Sequence, residues 1–446
     1  MPNPKLVETL DTLLLKAKQA GAEDADGIVT YGRSLSVSVR GGTLEDIDNS
    51  EGRDVGLRVM IGGRQACVSS SDISVHSLDQ LAERAVAMAK LAPVDPFCGL
   101  PDNVVEDVNV AKYDLSDTHV STPESLKDRA LTLEAATLGV KGVAQAMGCS
   151  ASFSQGDFAF GNSNDFRAGW SSSRHSISTA AIAERDGAME RDYDYASRRH
   201  FSDLPDPVQI GKTAGQRAVA RLGAEKIPSG AMSVIYDERK ASSLLSAFLS
   251  AINGNAIARG VSYLKDKKGE VLFPKHLNII DDPTMPRGLA TRPCDGEGVA
   301  VAHRALVEDG VLKTWLLNTS TAKQLDMIST GHASRGVGHP PGVGPSNSYI
   351  EAGILSREAL FAQTGEGLLV TDMFGPNVNA NTGDYSVGVS GFLIENGAIS
   401  KPVSEITIAG NLIEMFATIT PANDLKFEST VNAPTLRVEG MMVAGL

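Results

Sequence analysis

Cys294 and His303 are residue types that could form a nucleophile–base pair, because a thiolate beside an imidazole attacks carbonyl carbon. RPCDGEG gives Cys294 no helix N-terminus to lower its pKa, and nothing in the spacing holds His303 beside it, so the residues favour a structural cysteine. Asp281, Asp282, Asp295 and Glu297 form an acidic cluster of the kind that holds a hard cation. Each pair falls in a turn-like stretch, DDPT or CDGEG, where Asp commonly bonds nearby backbone instead. Gly336–Gly344 is rich in glycine, but Pro340 and Pro341 remove the N–H groups a phosphate cradle needs and no GK[ST] follows. Ser171–Ser173 with His175 has no GxSxG elbow and reads as an exposed strand face. The eight histidines include no i, i+4 or i, i+5 pair, and the four cysteines no CxxC, so local spacing shows no complete active site.

Any site must therefore be assembled from distant parts of a large chain. The 446 residues are enough for two or three domains, and 42% hydrophobic residues suffice for sizeable cores. A formal charge of −13, with no compensating Lys/Arg run, argues against nucleic acid and anionic lipid as direct partners. The Leu-rich N-terminal stretch is broken by Glu8, Asp11, Lys16 and Lys18. It predicts an amphipathic helix rather than a signal sequence; with no membrane-length apolar run, a soluble, cytoplasmic protein is expected.

Alternation at Leu35, Val37 and Val39, and again at Val55, Leu57, Val59 and Ile61, predicts half-buried strands, with a hairpin at Gly62-Gly63. Helices are expected near 77–92 and 206–223, and a long one from Thr122 whose apolar face continues through Val140 and Val143 to Met147. Residues 149–200 read as a strand meander, and no internal repeat is visible. KIPSG at 226–230 breaks both periods. The expectation is an α+β fold: an N-terminal α/β domain over 1–225, with a mixed or antiparallel sheet and packed helices, and a mostly-β C-terminal domain over 231–446.

Several stretches in order resemble the TldD/PmbA family: VSVRGGTLEDIDNSEGRDVGLRVMIGGRQACVSSSD (37–72), DGEGVAVAHRALVEDGVLKTWLLNTSTAKQL (295–325), STGHASR (329–335), SNSYIEAG (346–353) and SVGVSGFLIENGAISKPVSEITIAGN (386–411). The resemblance spans nearly the whole chain. It implies one of two related subunits, TldD and TldE (or PmbA), of a heterodimeric zinc peptidase. That peptidase takes unfolded peptides into a cavity and acts in microcin maturation and antitoxin turnover; "modulator of DNA gyrase" is an older label.

TldD-type chains carry HExxxH on a helix, two zinc-ligating histidines and a glutamate base, with a late cysteine as third ligand. Here the matching helix is LSAFLSAINGNAIARG (245–260): the ligand positions fall on Leu245 and Ser250, the base position on Ser246, and 423–440 lacks the cysteine. Neither Leu nor Ser replaces an imidazole on zinc. The resemblance thus implies a PmbA/TldE-type chain with no catalytic residues and no cofactor of its own, zinc being expected only in a TldD-like partner. It would be a heterodimer with that partner, or a homodimer in isolation, holding unfolded peptide along a groove with candidates Thr330, Gly331, Arg335, Asn379, Gly383 and Ser386. The alternatives are an independent hydrolase using Cys294 and His303 or the acidic cluster, and a homodimeric peptide-binding protein without catalysis.

Overall fold

A computed structural model describes residues 3–446. The N-terminal half is one six-stranded antiparallel sheet built from β1 (Asp24–Arg40), β2 (Thr43–Ile61), β3 (Arg64–Ser70), β4 (Val143–Asn162), β5 (Arg167–Arg185) and β6 (Ala188–Arg198), in the order β3-β2-β1-β4-β5-β6. Four helices cover one face: α1 (Pro4–Ala20), α2 (Val75–Leu91), α3 (Pro123–Leu138) and α4 (Pro207–Ala220). Strand alternation explains the sidedness. Ala25, Val29, Val37 and Val39 of β1 turn toward the helices, while Ile28, Thr30, Gly32 and Ser34 turn away.

The element order α-β-β-β-α occurs twice, as α1-β1-β2-β3-α2 and α3-β4-β5-β6-α4, joined edge to edge through β1 and β4. Gly32 pairs with Gly156 near the middle of that junction. The sequence reading found no internal repeat; the structure shows one. The two units share topology and side-chain alternation rather than residue identity, so a search for matching letters passes over them.

A second expectation also fails. The helix from Thr122 stops at Leu138, and Val143 and Met147 belong to β4. Gly139 caps the helix, and Gly142 at φ +100° reverses the chain into the strand, a conformation costly for any residue with a Cβ. Glycine turns are met as expected at Gly62-Gly63, Asp309-Gly310 and Asn396-Gly397, all four of these glycines and both partners having positive φ.

The C-terminal half closes into a barrel of five strands, β7 (Gly230–Tyr236), β8 (Gly367–Val378), β9 (Asp384–Glu395), β10 (Ala398–Asn411) and β11 (Leu436–Ala444). β7 and β8 pair in parallel, and β10 meets β11 through Thr407 and Ala444, which removes the free edges. Helix α5 (Glu238–Ala251) follows β7 and buries Leu244, Leu245 and Phe248 in the largest core of the molecule. A second sheet of short strands, among them Ile279–Asp281, Arg304–Glu308 and Ser348–Ile350, lies on the same core.

The two halves are packed together. Cys294 and Val337 of the C-terminal half join Ile28, Phe160 and Trp170 of the sheet, and Phe166 of the β4–β5 turn, in one apolar cluster. A Cβ at Gly56 would overlap the Val337 carbonyl, so only glycine lets the 335–341 loop lie this close to β2.

Candidate peptide-binding site

The sheet face left bare by the helices carries a cavity of about 770 Å³ at the junction of the two repeats. Its floor is small and polar: Gly32 and Ser34 of β1, Ser50 and Gly52 of β2, Ser154 and Gly156 of β4, and Ser172 of β5. Such residues leave the sheet surface open to a ligand the size of an extended peptide. Arg174, Arg199, Leu289 and Arg335 stand over it, the last two from the C-terminal half.

Beside the cavity lies a buried charge network. Asp26 accepts from Arg58 at 2.5 Å and from Arg335 at 2.8 Å. Burial alone would raise its pKa, but the two guanidiniums outweigh that and hold it below the usual carboxylate range. Glu297, next to Arg58, is different. Burial first, then the Asp295 carboxylate, pushes it up to about 7 despite the hydrogen bond it accepts from the Thr319 N–H at 2.8 Å.

A second cavity, of about 340 Å³, lies where β6 and α4 face the start of α5 and residues 426–433, with Tyr193, Tyr195, Arg239, Ser242 and Lys426 in its wall. It therefore touches both α5 and the late segment, the two stretches in which the resemblance locates a zinc site in TldD-type chains.

Those stretches do not fit zinc here. Leu245 offers only carbon and is buried in the core, while Ser246 and Ser250 point outward with hydroxyls donating to the carbonyls of Ser242 and Ser246 at 2.9 Å each. The three side chains do not converge, and they supply neither thiolate nor imidazole.

The other sequence candidates separate into distinct places. Cys294 is buried against the aromatic cluster, and burial pushes its thiol up to about 12. His303 is exposed and shares no hydrogen bond with it. Asp281 accepts from the Ser346 N–H at 2.7 Å and from the Ser346 and Ser348 hydroxyls at 2.6 Å each, and faces His332 Nε2 at 3.1 Å. Asp295 accepts from the N–H groups of Glu297, Val299 and Ala333. Asp282 caps its own turn at Thr284. These carboxylates are satisfied by backbone, hydroxyl and imidazole donors, as their turn-like settings imply.

Thr330 and Gly331 lie within the C-terminal half, and Arg335 reaches from it to Asp26 of the N-terminal sheet. The Thr330 hydroxyl is held by the Leu317 N–H at 2.7 Å and His332 Nδ1 at 2.8 Å, and Gly331 is buried at φ +75°. Of the three, only Arg335 reaches the large cavity. Asn379, Gly383 and Ser386 lie elsewhere, on the β8–β9 hairpin of the barrel, where Asn379 and Gly383 close the turn through backbone hydrogen bonds. Ser171–Ser173 and His175 are not one exposed face. Ser173 and His175 are buried because alternate residues of β5 turn inward, and the Ser173 hydroxyl donates to the Arg199 carbonyl at 2.8 Å. Sequence reasoning missed Arg174, Arg199 and the glycine–serine floor. Their signal, small residues alternating along four separate strands, appears only once the strands are aligned.

Three family models match in order, described as PmbA/TldA metallopeptidase domain 1 (residues 25–89), central domain (117–222) and C-terminal domain (229–445). The chain is 34% identical to metalloprotease PmbA of Escherichia coli O157:H7, over 99% of this chain and 96% of that one. It is 34% identical to a PmbA homologue of Haemophilus influenzae over 96% and 94%. Among solved structures, a Bacteroides thetaiotaomicron protein described as a modulator of DNA gyrase superposes with a TM-score of 0.90 at 25% identity, covering 100% of both chains. TldE of Thermococcus kodakarensis, at 21% identity, shares the fold with a TM-score of 0.85 over 98% of this chain and 100% of its own.

Proposed function

Because the chain belongs to the PmbA/TldD family, we propose that it is a PmbA/TldE-type subunit which shapes the substrate cavity of a zinc peptidase whose metal is held by a TldD-like partner. The observation that carries this reading is α5: at the positions corresponding to two histidines and a glutamate, one side chain is a buried leucine and two are serines bonded to their own helix. A −13 protein with a polar sheet floor suits an unfolded peptide held through its backbone better than a DNA duplex. Microcin precursors and antitoxins are the substrates that the family resemblance implies. Among the described residues no helix is long and apolar enough to cross a membrane, and we place the protein in the cytoplasm.

The test is reconstitution. Alone, the chain should hold less than about 0.1 equivalent of zinc after dialysis against a mild chelator and should leave casein intact. Mixed with a TldD-like chain it should form a complex and support chelator-sensitive cleavage. Near-stoichiometric zinc in the isolated chain, or cleavage by it alone, overturns the proposal.

A further inference from the structure

The large cavity has an electrostatic imbalance that peptide backbone does not require. Arg335, one of four arginines lining it, is paired with Asp26. Arg174 and Arg199 have no carboxylate within salt-bridge distance among the described residues, although acidic groups outnumber basic ones by 54 to 41 in the chain. Several partly buried arginines elsewhere are matched: Arg217 with Asp194, Arg221 with Asp192 and Asp372, Arg239 with Asp192 and Asp237. Arg64, Arg129, Arg292 and Arg304 stand singly without a carboxylate partner among the described residues; Arg174 and Arg199 differ in lining one cavity together. Asp54 and Asp157 also line the cavity, but neither pairs with Arg174 or Arg199.

The geometry holds one of the two in place. Arg199 Nε and Nη2 donate to the carbonyls of Gly288 and Leu289 at 2.9 Å each, which fixes the guanidinium plane and leaves Nη1 without an acceptor among the described residues. Burial, then the neighbouring Arg174, lowers Arg199 to about 10, so both work against its positive charge. Two guanidiniums brought together at a cavity without a counter-charge are completed by an oxyanion, which accepts charge-assisted hydrogen bonds from both.

We propose that Arg174 and Arg199 form an oxyanion subsite in the large cavity, occupied by a carboxylate of the bound peptide. This rests on the peptide-holding reading above. The carboxylate has two possible sources in a peptide, the chain terminus and an acidic side chain, and the experiment separates them.

Three fluorescent peptides of one neutral, unstructured sequence are titrated with the full chain: a C-terminal acid, its amide, and the amide with one internal glutamate. The acid, the glutamate peptide or both should bind about tenfold more tightly than the neutral amide, and Arg174→Gln should reduce that preference to less than about twofold. Arg174 makes no hydrogen bond or ion pair to another side chain among the described residues, so this variant should fold; Arg199→Gln, which also loses the carbonyl contacts, is the second variant. A preference for the acid identifies the chain terminus, and a preference for the glutamate peptide the side chain. Equal binding of all three, or a preference that survives Arg174→Gln, overturns the subsite while leaving peptide holding intact. Should no peptide bind, inorganic phosphate decides: a rise in melting temperature with phosphate in the wild type that is absent in Arg174→Gln supports the subsite and counts against the peptide reading, and no rise overturns it.

Discussion

The carboxylate of Asp26, on the first strand, lies between the guanidiniums of Arg58 and Arg335 at 2.5 and 2.8 Å, and Arg335 comes from the opposite half of the chain. One acidic side chain thus joins the N-terminal sheet to the loop that closes over it. Asp26→Ala leaves two arginines mostly buried without a counter-charge, and should cost about 3–5 kcal/mol in denaturant unfolding. The sign with pH follows from the lowered pKa of Asp26. Its contribution is complete above the unfolded aspartate value of about 3.9 and is lost as pH falls through the lower folded value. Wild type and variant should therefore differ fully at neutral pH and converge only in strong acid; a difference below about 1 kcal/mol at pH 7 contradicts this account.

Glu297 should behave in the opposite sense. Its folded pKa of about 7 lies above the ordinary value of 4.5, so the folded state binds the extra proton and stability declines as pH rises between those values. Glu297→Gln should flatten that decline and stabilise the protein at pH 8, by at most roughly 3 kcal/mol. Melting temperatures of the two proteins from pH 5 to 8 check it, parallel curves being the adverse result.

The cysteines should react unequally. Cys294 and Cys149 are buried, whereas Cys67 and Cys98 are half-buried. Iodoacetamide at pH 8 should label Cys98 first and leave Cys294 unmodified until the protein is denatured, because a thiol near pKa 12 is almost wholly protonated there. Peptide mass spectrometry reads the order. Rapid labelling of Cys294 in the native state would revive it as a nucleophile.

Gly56→Ala tests the seam between the halves. The added methyl overlaps the Val337 carbonyl, so the 335–341 loop must lift from β2. A loss of about 2 kcal/mol or more and new proteolytic cleavage near Gly336–Pro341 are expected. Unchanged stability and digestion would show that the loop does not rest there.

How much of this was legible in the sequence varied with the range of the interaction. Period-2 stretches such as Val55–Ile61 and the hairpin glycines at 62–63 declare themselves locally, because side-chain alternation and positive φ are properties of a few consecutive residues. The end of α3 was missed because Val140, Val143 and Met147 continue a helical spacing that Gly139 and Gly142 interrupt. The floor of the large cavity could not be read at all. Gly32, Gly52, Gly156 and Ser172 become neighbours only through the pairing of β2, β1, β4 and β5, and each is unremarkable in its own segment. The departure from a zinc site at Leu245, Ser246 and Ser250 was legible because it is a matter of residue type.

The doubled sheet is not symmetric at its margins. β3 covers β2 only from Val55 to Ile61, so Thr43–Asp54, paired with β1 on its inner side, has no strand on its outer side among the described residues, whereas the corresponding part of β5 is shielded near Ser173 by Leu115. Glu45, Asp46, Asp48, Glu51 and Asp54 lie along that open margin, opposed by Arg53 within it and by Arg40 of β1, which pairs with Glu45 at 2.8 Å. Two copies laid margin to margin would confront five carboxylates with five, and like charges facing across strands are repelled. The strand thus acts as its own gatekeeper: acid or high salt, which removes or screens that repulsion, is where this protein should begin to polymerise through its N-terminal half.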